Sequence, residues 1–175
     1  MSNPDQDDLP AAVVALIGKG QYEEASEFPV ERGYVWTSCA SVGNGNPLYW
    51  SDEIADVVTG GFVAPPTTIS LWLKPHFWSP GFTGERLALP AHHDLKEMFG
   101  LPEAIITENS VVFHELVRPG DVISSRQVLR SVSAVKTTRL GTGRFWTIDV
   151  EYENQRGECC AVESYTAFAY HRGSE

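Results

Sequence analysis

Residues 143–170, GRFWTIDVEYENQRGECCAVESYTAFAY, contain two β-runs that decide the fold of this chain. In the first run Trp146, Ile148 and Val150 alternate with mostly polar residues, which is the period of a strand with one apolar face. Between the runs, NQRG at 154–157 combines turn-forming residues and predicts a hairpin. This region is therefore predicted to form antiparallel sheet.

Two further β-runs precede this hairpin in ENSVVFHELVRPGDVISSRQVLRSVSAV, residues 108–135. They are joined at RPGD, residues 118–121, a composition typical of a turn. We interpret Asp121 as a turn residue and His114 as a strand histidine with satisfied hydrogen bonds. The second half of the chain is accordingly predicted to be an antiparallel meander.

The first half of the chain carries helical patterns instead. Pro10 lies near the start of a short helix, within a predicted N-terminal helical extension that covers residues 1–30. In residues 30–43, apolar side chains recur at helical spacing and predict a second helix that stops at Gly43. The polypeptide before residue 44 is thus expected to be helical.

Two more helices are predicted before the strands begin. Ser51 suits the N-cap of one helix, and a buried helix starts near Pro66 and is interrupted or kinked near Pro75. About one further helical turn is expected at residues 94–99. Helices followed by strands predict an α+β fold, in a single domain of residues 1–175 with helices on one face of the sheet.

Composition restricts the classes of function. The chain has 175 residues and a net charge of −10, which argues against nucleic acid as the main partner because phosphate binding needs clustered Lys and Arg. No apolar run approaches the roughly 18 residues of a membrane helix, and the acidic start, MSNPDQDDLP, lacks the basic and apolar regions of a signal peptide. We therefore expect a cytoplasmic protein with no membrane partner.

The cysteines and histidines do not predict a metal site. The chain has three cysteines, and the adjacent Cys159 and Cys160 are expected to pack on opposite faces of a strand in a reducing compartment. His92 and His93 have no Cys or third His at ligand spacing, so we interpret them as a solvated or loop pair. No metal ligands are expected.

Four motifs in a fixed order are more specific than the element pattern. They are ERGYVWTSCASVGNGNPLYWSDEIAD (31–56), GGFVAPPTTIS (60–70), VRPGDVISSRQV (117–128) and NQRGECCAVESYTAFAY (154–170). In this order they resemble the MaoC-like hotdog dehydratases, in particular those with a dehydratase N-terminal domain. The resemblance runs from about Glu31 to Tyr170 and implies the hotdog fold, an antiparallel sheet wrapped around a central helix.

The resemblance also implies a chemistry. Members of the family hydrate or dehydrate acyl thioesters of coenzyme A or acyl carrier protein at the 2,3 position, and they need no metal or redox cofactor. Active members carry a Gly-Asp-x-Asn-Pro-x-His loop, whose Asp and His activate a water and act as general base and acid. A helix N-terminus or a backbone amide polarises the thioester carbonyl, where enolate charge develops.

The corresponding loop of this chain, residues 43–49, lacks both titratable residues. Asn44 stands at the position of the Asp and Tyr49 at that of the His. An amide cannot accept a proton near neutral pH, and a phenol has an ordinary pKa of about 10. No catalytic residue is therefore expected in this chain. Under the resemblance, the substrate-binding candidates are Asn46, Tyr49, Pro66 and Trp72.

Several of these residues have a second interpretation. Asn44 and Asn46 are either remnants of the site or turn residues, and Tyr49 either packs in the core or hydrogen-bonds substrate or water. One group of aromatic residues belongs either to the core or to the wall of an acyl pocket: Trp72, Phe77, Trp78 and Phe82. The basic candidates for coenzyme A phosphates, otherwise solvated surface, are Lys74, Arg86, Lys136 and Arg139.

Three functions follow, and all remain open at this point. In the first, the chain is the non-catalytic half of a heteromer; a second hotdog subunit supplies Asp and His, and this half widens the cavity for acyl groups as bulky as steroid side chains. The second is a homodimeric hydratase that uses, for example, Tyr49 with His114 or an acidic residue. The third is a non-catalytic acyl-thioester-binding or assembly module; a hotdog thioesterase matches the loop less well.

Overall fold

The computed structural model describes residues 8–74, 80–81 and 87–173. The α-helices in these ranges are α1 (Ala11–Val14), α2 (Arg32–Ser41), α3 (Asp52–Thr59) and α4 (Pro90–Phe99), and the 3₁₀-helices are Pro47–Tyr49 and Pro66–Leu73. The strands are β1 (Gly20–Ala25), β2 (Glu103–Phe113), β3 (Ile123–Val132), β4 (Lys136–Thr137), β5 (Gly141–Asn154) and β6 (Cys159–Arg172). None of the described helices has the length and apolar character needed to cross a membrane.

All of these strands belong to one antiparallel sheet with the order β1-β3-β5-β6-β2, and β4 pairs with β5. The predicted hairpin is confirmed, because β5 and β6 pair along almost their whole length. Trp146, Ile148 and Tyr152 of β5 are buried on one face, as their alternation predicts. We call this the inner face of the sheet, because the helices cover it.

The predicted meander is wrong at β2. This strand pairs with β6 and not with β3, so it forms the far edge of the sheet. The connection at residues 114–122 is too long for a tight hairpin, and its Val117 is buried. The Val117 carbonyl accepts a hydrogen bond of 2.8 Å from the Ala64 N–H. The connection therefore crosses to the helical layer instead of reversing beside β2.

The predicted helical extension over residues 1–30 is wrong in its later part. Gly20–Ala25 form the edge strand β1, which pairs antiparallel with β3. The register shifts between Gln21 and Glu24, and Tyr22 adopts a positive φ of 53° there. Nearly all side chains of β1 are exposed, so the strand has no apolar period that its sequence could reveal.

The helices pack on the inner face in two groups, which confirms the α+β prediction. One core cluster combines α2 and both 3₁₀-helices with β3, β5 and β6, and it is centred on Val35, Cys39 and Tyr49. We call it the loop cluster. The other cluster joins α1 and α4 to the opposite ends of the strands, around Leu95 and Trp146.

Two helix predictions need correction. The helix expected near Pro66 begins there, but it is a 3₁₀-helix, and of its side chains only Ile69 is fully buried. The β-branched run that follows the prolines disfavours a regular α-helix. The kink expected near Pro75 lies outside the described residues. The single turn expected at residues 94–99 is the ten-residue helix α4.

His92 is not the solvated residue that we expected. It lies on α4 and is only 9% exposed. Its Nδ1 accepts a hydrogen bond of 3.1 Å from Trp146 Nε1–H. The indole needs a partner once it is buried, and this contact, which joins residues far apart in the chain, draws the histidine inward.

Candidate active site

The loop at residues 43–49 is shaped by its two asparagine side chains. Gly43 leaves α2 with a φ of 64°. The Asn44 Oδ1 accepts a hydrogen bond of 3.1 Å from the Asn46 N–H, and the Asn46 Oδ1 accepts one of 3.0 Å from the Leu48 N–H. Both amide oxygens are therefore occupied by the backbone of the loop itself, which is the turn-forming role that asparagine commonly has.

Two tryptophans hold this loop from its flanks. Trp36 Nε1–H donates to the Tyr49 carbonyl at 3.0 Å, and Trp50 Nε1–H donates to the Asn44 carbonyl at 2.8 Å. Their rings are parallel within 3° and their centroids are 6.4 Å apart. This role was not predicted from the sequence, although an indole N–H next to a turn is a donor that can bind a carbonyl of the loop.

Tyr49 is a core residue. Its side chain is 8% exposed and lies in the loop cluster with Val35 and Cys39. Burial raises the pKa of Tyr49, and the nearby Cys39 adds to the increase. The phenol therefore stays protonated at neutral pH, and it can donate a hydrogen bond but cannot act as a general base.

Pro66 and Trp72 lie on the 3₁₀-helix that follows the loop. Pro65 and Pro66 come in succession at its start, and neither has an N–H to offer to a thioester carbonyl. Trp72 packs against the loop cluster, and its Nε1 is buried with no hydrogen-bond partner among the residues that the structure describes. It also lines a cleft of about 140 Å³ that includes Tyr34 and Lys74.

The remaining candidates are dispersed. His114 is exposed just after β2, its backbone N–H donates to the Cys160 carbonyl at 2.9 Å, and no contact joins it to Tyr49 in the described part of the chain. Lys136 and Arg139 are exposed in and beside β4. Four of the candidates lie outside the described residues: Phe77, Trp78, Phe82 and Arg86. In the ranges that the structure describes, no group of His, Cys, Asp or Glu side chains is arranged to hold a metal ion.

A polar cluster on the inner face was also not predicted from the sequence. Tyr152 Oη–H donates to Glu163 Oε2 at 3.0 Å, and Asn109 Nδ2–H donates to Glu163 Oε1 at 3.1 Å. Burial, the Glu163 charge and this hydrogen bond raise the pKa of Tyr152. The alternation of β6 contained the signal, because it places the charged Glu163 on the same face as the buried Ala161.

This fold and loop place the chain in a known family. The model of the FAS1-like dehydratase domain region matches residues 15–163, so the chain belongs to this family of MaoC-like hotdog dehydratases. The hotdog fold and the family that the motifs predicted are confirmed. The family is one of hydratases and dehydratases.

Individual relatives agree with this assignment. A probable enoyl-CoA hydratase alpha subunit from Thermomonospora curvata is 30% identical over 133 residues, which are 71% of this chain but 40% of that protein. The chain thus spans less than half of that relative's length.

Solved structures show the same fold at lower identity. A chain of the ChsH1-ChsH2 complex from Mycobacterium tuberculosis has a TM-score of 0.71 at 21% identity, with 94% of this chain and 92% of that chain covered. A MaoC-like dehydratase from Rhodospirillum rubrum has a TM-score of 0.59 at 16% identity, with 98% and 100% covered.

Proposed function

We propose that this chain is the non-catalytic half of a heteromeric acyl-thioester hydratase or dehydratase. The observation that carries the proposal is the loop at residues 43–49. The amide oxygen of Asn44 is bound to the loop backbone, and Tyr49 is buried with a raised pKa. Neither residue can take a proton from water or return one to Cα, so the Asp and His of the reaction come from a second hotdog subunit.

The start of the following helix supports the same division of roles. Catalysis in this family requires a donor where enolate charge develops on the thioester oxygen. Here Pro65 is the N-cap and Pro66 the first residue of the helix, and neither has a backbone N–H to donate at that position. This chain therefore lacks the base and the acid, and it has fewer backbone amides to polarise the thioester carbonyl. Its remaining role is to bind the substrate and to shape the acyl pocket.

The second subunit pairs, in this proposal, along β2. This strand is an edge of the sheet, eleven residues long. Its exposed side chains include Ile105, Ile106 and Val112, and a long apolar edge strand recruits another strand. The opposite edge, β1, is short and irregular and carries Glu23 and Glu24, features that prevent such pairing. The ChsH1-ChsH2 complex, in which a chain of the same fold occurs together with a different chain, is consistent with this arrangement.

The acyl pocket lies, in this proposal, between the loop and the helix that starts at Pro66. Tyr49 and Trp72 share the loop cluster there, and the Trp72 indole N–H, which has no partner in the described ranges, suits an oxygen of the pantetheine or the thioester. A half that performs no chemistry is free to widen this space for bulky acyl groups, steroid side chains included. The acyl group is carried on coenzyme A or on an acyl carrier protein, and the cytoplasmic location stays a prediction.

Activity measurements on the isolated chain and on the assembled complex test this function. The chain alone should not hydrate a panel of enoyl-CoAs, and co-expression with a neighbouring reading frame that encodes Gly-Asp-x-Asn-Pro-x-His should give turnover. In the complex, Asn44→Ala or Tyr49→Phe should change turnover by less than about tenfold, well below the 10²- to 10⁴-fold loss for a general base. Replacing the partner's Asp or His should abolish it. Robust turnover by the folded chain alone would refute the proposal.

A further inference from the structure

A carboxylate lies on the apolar inner face of the sheet, one strand from the β2 edge. Glu163 in β6 is in register with Val150 of β5 and with Val111 of β2, and directly paired residues share a face. Val150 is buried in the loop cluster. Glu163 therefore points toward the helical layer, where the substrate is proposed to bind.

The donors that hold Glu163 are all neutral. Tyr152 and Asn109 donate to its two oxygens at 3.0 and 3.1 Å. Tyr165 lies two residues further along β6, and burial together with the neighbouring Glu163 carboxylate raises the pKa of Tyr165. These hydrogen bonds fix the orientation of the Glu163 carboxylate but bring no positive charge to compensate its negative charge.

The two arginines of β3 pair with other carboxylates. Arg126 binds Glu151 at 2.6 Å and Arg130 binds Asp149 at 2.6 Å, both of them on the outer face of β5. A charge on an apolar face is costly when it is not compensated, and a carboxylate has about four acceptor positions. Within the described part of the chain, two side-chain donors, Tyr152 and Asn109, hydrogen-bond Glu163, so it can accept a further one.

The surroundings of Glu163 are open in the chain alone and adjoin the proposed acyl pocket. Asn109 and Phe113, on the inner face of β2, are exposed. Tyr165 is half-buried and packs on the loop cluster that contains Tyr49. A partner sheet joined to β2 would enclose this region and make it continuous with the pocket.

We propose that Glu163 accepts a hydrogen bond from a hydroxyl group on the acyl chain of the bound thioester and makes the assembled enzyme selective for hydroxylated acyl groups. This inference rests on the proposed function. A carboxylate only accepts hydrogen bonds, so it favours a hydroxyl over a carbonyl or a carboxylate on the ligand. A site built for a hydroxyl rejects the analogue without it, because its own polar group is then left unpaired. The continuity with the Tyr49 cluster favours the substrate over a basic side chain of the partner as the donor.

Pairs of substrates that differ by one hydroxyl test the proposal. The assembled complex would be assayed with ω-hydroxy-2-enoyl-CoAs of graded chain length, with a ring-hydroxylated polycyclic enoyl-CoA, and with their deoxy counterparts. The native complex should prefer at least one hydroxylated member by about tenfold or more in kcat/KM, as expected for a hydrogen bond to a charged group. Glu163→Gln should remove most of that preference and leave the deoxy substrates within about threefold. The matched control is Glu97→Gln, at an exposed carboxylate on α4, which should keep the preference.

The outcomes separate this proposal from the proposed function. Equal use of both members of every pair, unchanged by Glu163→Gln, would overturn the assignment of Glu163 while the observed turnover upheld the proposed function. Loss of assembly in Glu163→Gln by size-exclusion chromatography, with native thermal unfolding of the chain, would also overturn it, because the donor would then belong to the partner. Calorimetric binding of the same pairs gives the comparison even if the complex shows no turnover, in which case the proposed function alone would fail.

Discussion

At the scale of single residues, His92 makes the stability of the fold depend on pH. Burial, followed by repulsion from His93 and Lys96, lowers the pKa of His92 from 6.5 to about 4. The unfolded chain therefore takes up a proton at a higher pH than the folded chain does. The neutral form of His92 contributes fully to the stability of the fold above pH 6.5, and this contribution is lost as the pH falls from 6.5 to about 4.

We expect His92→Gln to flatten this part of the pH dependence. Chemical denaturation between pH 7 and pH 4 should show that the native chain loses up to about 3 kcal/mol more than the variant does, at about 1.4 kcal/mol per pKa unit. The control is His171→Gln, at an exposed histidine near the end of β6, which should keep the native slope. Parallel curves for the native chain and His92→Gln would contradict the prediction.

Asp121 shows how a turn residue becomes part of the core. The RPGD composition predicts the turn, and Asp121 Oδ2 accepts from the Arg118 N–H at 2.8 Å, as expected there. The residue is nevertheless 3% exposed, because Gln155 and Arg156 from the β5–β6 turn bind its other oxygen. The local hydrogen bond of Asp121 can be predicted from the sequence. Its bonds to Gln155 and Arg156 depend instead on how the RPGD turn and the β5–β6 turn pack against each other.

At the scale of elements, β5 and β6 approach each other closely at the open end of their hairpin, where β5 begins and β6 ends. A Cβ atom at Gly143 would lie 1.9 Å from the Ala169 carbonyl oxygen, so the two backbones have no room for a side chain there. This contact is between main-chain atoms, which cannot move aside as a flexible side chain can.

Gly143→Ala should therefore destabilise the fold by at least about 2 kcal/mol, in the range observed for overpacking. Thermal or chemical denaturation of the purified chain measures this loss. The matched substitution Gly33→Ala, in α2 with no atom near the added Cβ, should be neutral or stabilising by up to about 1 kcal/mol, because alanine favours a helix over glycine. Equal stabilities of the two variants would show that the strands separate at little cost.

At the scale of the whole molecule, the long strand β2 leaves one edge of the sheet exposed. β2 exposes Ile106 and Val112 at 48% and 56%, and its backbone has no neighbour beyond β6 among the described strands. We expect the chain to occur as a dimer or, with its partner, as a heteromer in one continuous sheet, and not as a monomer.

The double variant Ile106→Lys and Val112→Lys should weaken this association by about a hundredfold or more, because two uncompensated charges would enter an apolar interface. Light scattering and size-exclusion chromatography with the partner measure it. Val135→Lys, at a residue beside β4 that is 51% exposed, adds a charge far from β2 and should leave assembly unchanged. A native-like monomer at micromolar concentration, or assembly that survives both lysines, would rule out β2 as the joining edge.

The sequence by itself determined the features that depend on near neighbours. The period of two in residues 143–170, the Ser51 cap of α3 and the loop at residues 43–49 were all readable, because each depends on contacts within a few residues. The family followed from the order of the motifs. The absence of an Asp and a His at positions 44 and 49 likewise predicted a loop without its own base and acid.

Only the tertiary structure decided which distant segments meet. In the structure, β2 lies at the far edge of the sheet and not beside β3, and the exposed strand β1 belongs to the sheet. His92 is buried against Trp146. The tertiary structure also placed Glu163 among two tyrosines and an asparagine on the inner face. These arrangements depend on the path of long connections and on which polar groups become hydrogen-bonded when the helices pack on the sheet. Neither can be predicted from the local periodicity of the sequence.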